Sequence, residues 1–186
     1  MPQKPSEHSP INIAILSRAP VPGQTKTRLI PALGPAGAAE LHRRLLHKTV
    51  RTALAADIGP VTLWCTPDTT HPEFAACQQY GPLRLRSQVE GDLGQRMLAT
   101  IASPTLIIGT DCPLLSVETL AQAATALLDH DAVLIPAADG GYVLIGLRQP
   151  HPAVFADITW GSASVLDSTR QRLQQVSYSW SELPTL

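Results

Sequence analysis

Thr105-Leu106-Ile107-Ile108-Gly109-Thr110-Asp111-Cys112-Pro113 carries a short apolar, β-branched run straight to one carboxylate. Such a run, with no polar alternation, predicts a strand covered on both faces, as in the parallel sheet of an α/β protein. Gly109 permits a tight turn where the strand ends, and Pro113 cannot rejoin the ladder. Asp111 is therefore expected at the carboxyl edge of the sheet, where open α/β folds place their ligands. A carboxylate there suits a divalent cation, because Mg²⁺ takes hard oxygen ligands and accepts few of them from protein. It equally suits a turn or a helix cap, since Asp favours both.

The chain on either side supplies the remaining layers. Upstream, Ile11 to Leu16 reads as a strand, and Pro35 to Ala56 as a helix with Leu41, Leu45, Thr49 and Ala53 on one face. Pro60 to Cys65 predicts a second strand, Pro72 to Tyr80 a short helix, and Leu83 to Arg86 a weaker strand alternating as at a sheet edge. Asp92 is the expected N-cap of a helix from Leu93 to Ala102. Downstream, Ser116 caps a helix that turns Leu120, Ala124, Leu127 and Leu128 inward. Strands at Ala132 to Ile135 and Tyr142 to Leu147, a helix from Ala163 to Gln174 and a strand from Val176 to Ser181 follow. Strands alternating with helices at this spacing predict a three-layer α/β/α architecture with a mainly parallel sheet. No internal repeat or linker interrupts it, so residues 11–186 are expected to form one domain behind a flexible tail, 1–10.

Composition narrows the partners. At 186 residues, with 44% hydrophobic and 16% charged residues, the chain reads as a globular protein able to bury a core. A net charge of −1 offers no basic field for nucleic acid or anionic lipid. Any phosphate ligand must then be captured by a few placed groups. Cys65, Cys77 and Cys112 follow no metal spacing, and three cannot all pair within the chain. They are expected as reduced thiols in a cytoplasmic protein. No signal-peptide core or membrane-length apolar run is present.

The loop after the first strand is Ser17-Arg18-Ala19-Pro20-Val21-Pro22-Gly23-Gln24-Thr25-Lys26-Thr27-Arg28-Leu29. Pro22 and Gly23 stiffen and bend it, while Arg18, Lys26 and Arg28 concentrate cations in a chain with only 14 lysines and arginines. Lysine is a mobile point charge for phosphate, and arginine a planar fork for two oxygens. A solvated surface loop would carry the same residues. It is not a Walker A loop, since Gly23 does not immediately precede Lys26. Asp139-Gly140-Gly141-Tyr142 reads as a hairpin turn that displays Asp139 at the sheet edge, with the glycines allowing close approach of an acceptor. Glu90-Gly91-Asp92-Leu93-Gly94-Gln95-Arg96 opens a helix whose N–H groups could take a phosphate or ribose oxygen, with Gly94 and Arg96 beside it. Asp92 serves as a plain cap in the alternative.

In this order these segments resemble the DUF2064 family, the bacterial glycosyltransferase-A-like group also called selenodomain-associated transferase 1. The resemblance runs from Ile11 over nearly the whole chain. More distantly the chain is similar to 2-phospho-lactate guanylyltransferase and the molybdenum-cofactor guanylyltransferases. The resemblance implies a nucleotide-diphospho-sugar transferase (GT-A, Rossmann-like) fold and a nucleotide or nucleotide-sugar ligand. It implies Lys26 and Arg28 on donor phosphates, Asp111 on Mg²⁺ or Mn²⁺, and Asp139 and Tyr142 near the acceptor or metal. Members of the group usually continue into an acidic Asp-x-Asp-Thr segment after the last strand. This chain reads Ser181-Glu182-Leu183-Pro184-Thr185-Leu186 there instead.

The expected activity is metal-dependent glycosyl transfer from a nucleotide-diphospho-sugar. Asp111 holds the metal, Lys26 and Arg28 neutralise the leaving diphosphate, and Asp139 orients or deprotonates the acceptor hydroxyl. Nucleotidyl transfer with release of pyrophosphate is the alternative, and non-catalytic nucleotide binding a further one.

Overall fold

A computed structural model describes residues 11–102 and 104–186; the expected tail, 1–10, lies outside them. Its sheet has seven strands: β1 (Asn12–Arg18), β2 (Val61–Thr66), β3 (Leu83–Ser87), β4 (Thr105–Ile108), β5 (Ala132–Pro136), β6 (Tyr142–Leu147) and β7 (Trp180–Glu182). They lie in the order β3-β2-β1-β4-β6-β5-β7. β1 pairs in parallel with β2 and β4, β2 with β3, and β5 with β7. β6 runs antiparallel to both β4 and β5, because the Asp139 turn closes a hairpin. The sheet is thus mainly parallel, with one reversed strand. Every residue of β4 and β5 is buried, as apolar runs in a covered sheet require. β3 is one edge, and its Arg84 and Arg86 face solvent.

The side chains of the strands feed two cores, one on each face. Ile13, Ile15 and Leu63 meet Leu46, Phe74 and Leu120 on one side. Ala14, Ile107, Leu134 and Ile145 meet Met97, Phe155 and Leu173 on the other. The helices α1 (Ile30–Ala55), α2 (Pro72–Ala76) and α4 (Val117–Asp129) supply the first cover, while α3 (Leu93–Leu98) and α5 (Val165–Gln175) join the second. This is the expected three-layer arrangement.

Several boundaries and faces differ from expectation. α1 begins at Ile30 and kinks at Gly34, which takes φ 68° so that Pro35 can open the second segment. Its buried face runs through Ala38, His42, Leu46, Thr49, Val50 and Ala53, so Thr49 and Ala53 of the expected stripe point inward while Leu41 and Leu45 are only half-buried. The periodicity was masked because two histidines, His42 and His47, sit on the buried side. Leu128 in α4 is 41% exposed rather than inward. α3 stops at Leu98, and β7 starts at Trp180 rather than Val176.

His47 ties α1 to the segment that follows β2. Its Nε2–H donates to Glu73 Oε2 at 2.6 Å, and Nδ1 accepts from the Tyr80 hydroxyl at 2.9 Å. Truncation would leave two polar partners without it in a half-buried site. His47→Ala is expected to cost about 2 kcal/mol of stability, read from the urea midpoint at unchanged m-value. Cys65, Cys77 and Cys112 are free. The first two are buried, and burial pushes both thiols up to about 12, so they remain protonated. Among the described residues no helix is long and apolar enough to cross a membrane.

Candidate functional site

At the carboxyl ends of β1 and β4 the sheet opens into a cleft of about 1060 Å³. Arg18, Lys26, Arg28, Asp111, Asp139, Gly141 and Tyr142 all line it. Three segments remote in sequence, each singled out for its chemistry, therefore meet at one place. With three cations against two carboxylates, the cleft has a net attraction for anions.

The first loop is shaped by its own backbone. Val21 N–H donates to the Ala19 carbonyl at 2.8 Å and Gln24 N–H to the Val21 carbonyl at 3.0 Å. Arg18 Nη1 reaches across to the Gln24 carbonyl at 3.3 Å. Pro22 and Gly23 occupy the exposed outside of this bend and do not line the cleft. Lys26 has φ 46° and ψ 43°, a left-handed conformation that costs a residue bearing a Cβ roughly 1–2 kcal/mol. That backbone delivers the ammonium to Asp111: Lys26 Nζ lies 3.0 Å from Asp111 Oδ1. The Lys26 side chain is 14% exposed and that of Asp111 79%. Asp111 stands just beyond β4, as the sequence predicts.

Asp139 is exposed, and its Oδ1 accepts from Gly141 N–H at 3.1 Å, which fixes the carboxylate over its own turn. Gly140 points away from the cleft. Its carbonyl accepts from Leu166 N–H at 2.9 Å, and its α-carbon lies against the backbone of Ala163. Tyr142 contributes its ring to the cleft wall, while its hydroxyl turns inward to Met97 Sδ at 3.9 Å. Burial raises the Tyr142 phenol well above its ordinary value, so it is a neutral packing group rather than a charge for an acceptor.

The start of α3 is built differently from a phosphate cradle. Asp92 Oδ1 accepts from Gln95 N–H at 2.8 Å, and Gln95 Oε1 accepts from Asp92 N–H at 2.9 Å. This capping box occupies two of the donors that a ligand would use. Gly94 is buried under Trp160 and Phe155, and a Cβ there would come within 2.9 Å of the first and 3.0 Å of the second. Arg96 Nε donates to the Gly91 carbonyl at 3.0 Å. Of this segment Leu93 and Met97, not Asp92, Gly94 or Arg96, line the cleft. Asp92→Ala is expected to lower stability by about 1 kcal/mol, the usual worth of an N-cap, as a shift of the thermal midpoint.

One cleft residue escaped the sequence reading. His42 on α1 is 5% exposed and donates from Nε2 to the Arg18 carbonyl at 2.9 Å, holding the root of the loop. Burial lowers its pKa, and its Nδ1 has no partner. A histidine three residues after Ala39 in a helix gives no signal beyond its place on the inward face.

Among the described residues no three His, Cys, Asp or Glu side chains gather as a metal cage. An exposed carboxylate such as that of Asp111 on an anion-attracting cleft fits Mg²⁺ or Mn²⁺ completed by phosphate oxygens and water, and does not fit an all-protein site.

Solved structures share this architecture. A candidate nucleotide-diphospho-sugar transferase from Desulfovibrio desulfuricans G20 matches with a TM-score of 0.83 and 29% identity, over 94% of this chain and 79% of that one. 4-Diphosphocytidyl-2C-methyl-D-erythritol synthase from Anaerococcus prevotii matches with a TM-score of 0.60 at 11% identity, over 94% of this chain and 87% of that one. A manganese complex of Rv0371c from Mycobacterium tuberculosis matches with a TM-score of 0.54 at 13% identity, over 95% and 88% of the two chains. No functionally curated protein matches the sequence. The chain has the Rossmann-like, GT-A-type fold of the nucleotide-diphospho-sugar transferases. The model of DUF2064, described as an uncharacterized protein conserved in bacteria, matches residues 49–162, and the chain belongs to that family.

Proposed function

We propose that the protein is a transferase that takes a nucleotide-diphospho-sugar and passes its glycosyl group to an acceptor. The observation that carries this reading is the placement of Lys26 and Asp111 in contact at the carboxyl edge of the sheet, with Arg18 and Arg28 on the same cleft. The relative at 29% identity, named for that donor class, supports it.

Lys26 and Arg28 hold the diphosphate and neutralise the charge that grows on it as the glycosyl bond breaks. Preorganised cations are worth most at such a developing charge. Asp111 would hold Mg²⁺ or Mn²⁺ against the same oxygens, and that ion would supply Lewis acidity toward the leaving group. A structure of a fold relative with manganese is consistent with this. Asp139, fixed by Gly141 N–H, accepts the hydrogen bond of the incoming hydroxyl and takes its proton. The free cysteines suit a reducing cytoplasm, where nucleotide donors are at hand.

Nucleotidyl transfer is the second reading, favoured by the Lys26-Thr27-Arg28-Leu29 loop, by the single aspartate ahead of Cys112-Pro113 and by the fold shared with a diphosphocytidyl synthase. Incubation with nucleotide-sugars and with nucleoside triphosphates, each with Mg²⁺ or Mn²⁺, separates the two. Metal-dependent release of nucleoside diphosphate from a nucleotide-sugar supports glycosyl transfer. Pyrophosphate from a triphosphate supports the second reading, and binding of neither donor class sinks both.

A further inference from the structure

The contact between Lys26 and Asp111 has a consequence for the form in which the ligand enters. The Lys26 ammonium lies 3.0 Å from Oδ1 of the carboxylate proposed to hold a divalent cation. Among the described residues no group of three His, Cys, Asp or Glu side chains forms a cage for that cation. Lys26 is held there from both ends: its backbone is fixed in a left-handed turn, and its side chain is mostly covered. A free divalent cation approaching Asp111 therefore meets a half-neutralised carboxylate and a fixed positive charge beside it. A diphosphate changes both terms at once. Its oxygens offer Lys26 another partner and give the cation the ligands that the protein lacks.

We propose that Lys26 excludes the free metal ion from Asp111, so that the cleft takes up a preformed metal–diphosphate complex rather than metal and nucleotide separately. The proposal rests on the transferase reading of the cleft. It follows that the ammonium and the divalent cation compete for one carboxylate until phosphate separates them.

The test uses Mn²⁺ and inorganic pyrophosphate as probes, with bound Mn²⁺ read by electron paramagnetic resonance on the full chain. Wild type is expected to bind Mn²⁺ alone weakly and the manganese–pyrophosphate complex at least tenfold more tightly. Lys26→Gln removes the competing charge, and is expected to tighten binding of Mn²⁺ alone by roughly three- to tenfold. Lys26→Arg keeps the charge and should resemble wild type. The gain in Lys26→Gln should vanish when Asp111→Asn is added, which locates it at that carboxylate. The same Lys26→Gln change should weaken the manganese–pyrophosphate complex, the opposite sign in one variant. Equal Mn²⁺ affinity in wild type and Lys26→Gln would overturn the exclusion while leaving the transferase reading standing. Failure of wild type to bind pyrophosphate with or without Mn²⁺ would remove that reading, and the exclusion with it.

Discussion

Gly140→Ala is expected to lower the unfolding free energy by about 3 kcal/mol and the thermal midpoint by roughly 10 °C, measured by calorimetry. Two independent costs converge at this position. Gly140 has φ 85°, a region that side chains adopt only with strain. An added Cβ would also overlap the carbonyl group of Ala163. Backbone cannot step aside as the tip of a flexible side chain can, and the Leu166 N–H bond to the Gly140 carbonyl pins the two segments together. Relief requires the turn to lift away from the start of α5, and Asp139 would move with it. Gly109→Ala is the control. It has ordinary backbone geometry and nothing within 4 Å of the place its Cβ would take, so it should fall within about 0.5 kcal/mol of wild type. Equal effects at the two positions would mean that the hairpin and α5 are not held together as described.

The same turn shows how far the sequence could be read. Asp139-Gly140-Gly141 was legible as a hairpin, and the alternation of strands and helices gave the layers. The strand order was not written there, because it depends on which neighbours each buried strand pairs with across long crossovers. Gly140 looked like a ligand-approach glycine and is instead a packing glycine against Ala163. Gly94 made the same exchange against Trp160. Local sequence shows that a residue without a side chain is needed, not what fills the space. The family resemblance implied Tyr142 near the acceptor or the metal, and its ring does line the cleft while its hydroxyl turns to Met97. His42 and His47 were hidden for the converse reason: polar letters on the inward face of α1 weaken the apolar stripe from which burial is inferred. The meeting of the cations with Asp111 was half legible: strand ends pointed both loops to one sheet edge, but a solvated loop or a plain turn would have read the same, and only the fold puts Lys26 against Asp111.

Asp111→Ala is expected to separate function from folding more cleanly than any other change in the cleft. Its carboxylate is 79% exposed, and its ion pair is with Lys26 alone among the described residues. Exposed pairs contribute about 0–1 kcal/mol, so the unliganded variant should melt within a few degrees of wild type. Ligand-dependent quantities should change far more. A donor at 100 times its dissociation constant stabilises wild type by about 2.7 kcal/mol, and the metal-dependent part of that shift should disappear. Turnover should fall by roughly 10²–10³, the loss typical when one preorganised electrostatic partner of the leaving group is removed. Asp139→Asn keeps the hydrogen bond from Gly141 N–H but cannot accept a proton, so it should retain the metal-dependent shift while turnover falls. The two variants thus assign binding and proton transfer to different carboxylates. If Asp111→Ala kept the metal-dependent shift, the cation would have to sit on Asp139, and the transfer would run from the hairpin side of the cleft. If both variants lost the shift, the two carboxylates would share the ion despite standing on separate loops of the cleft.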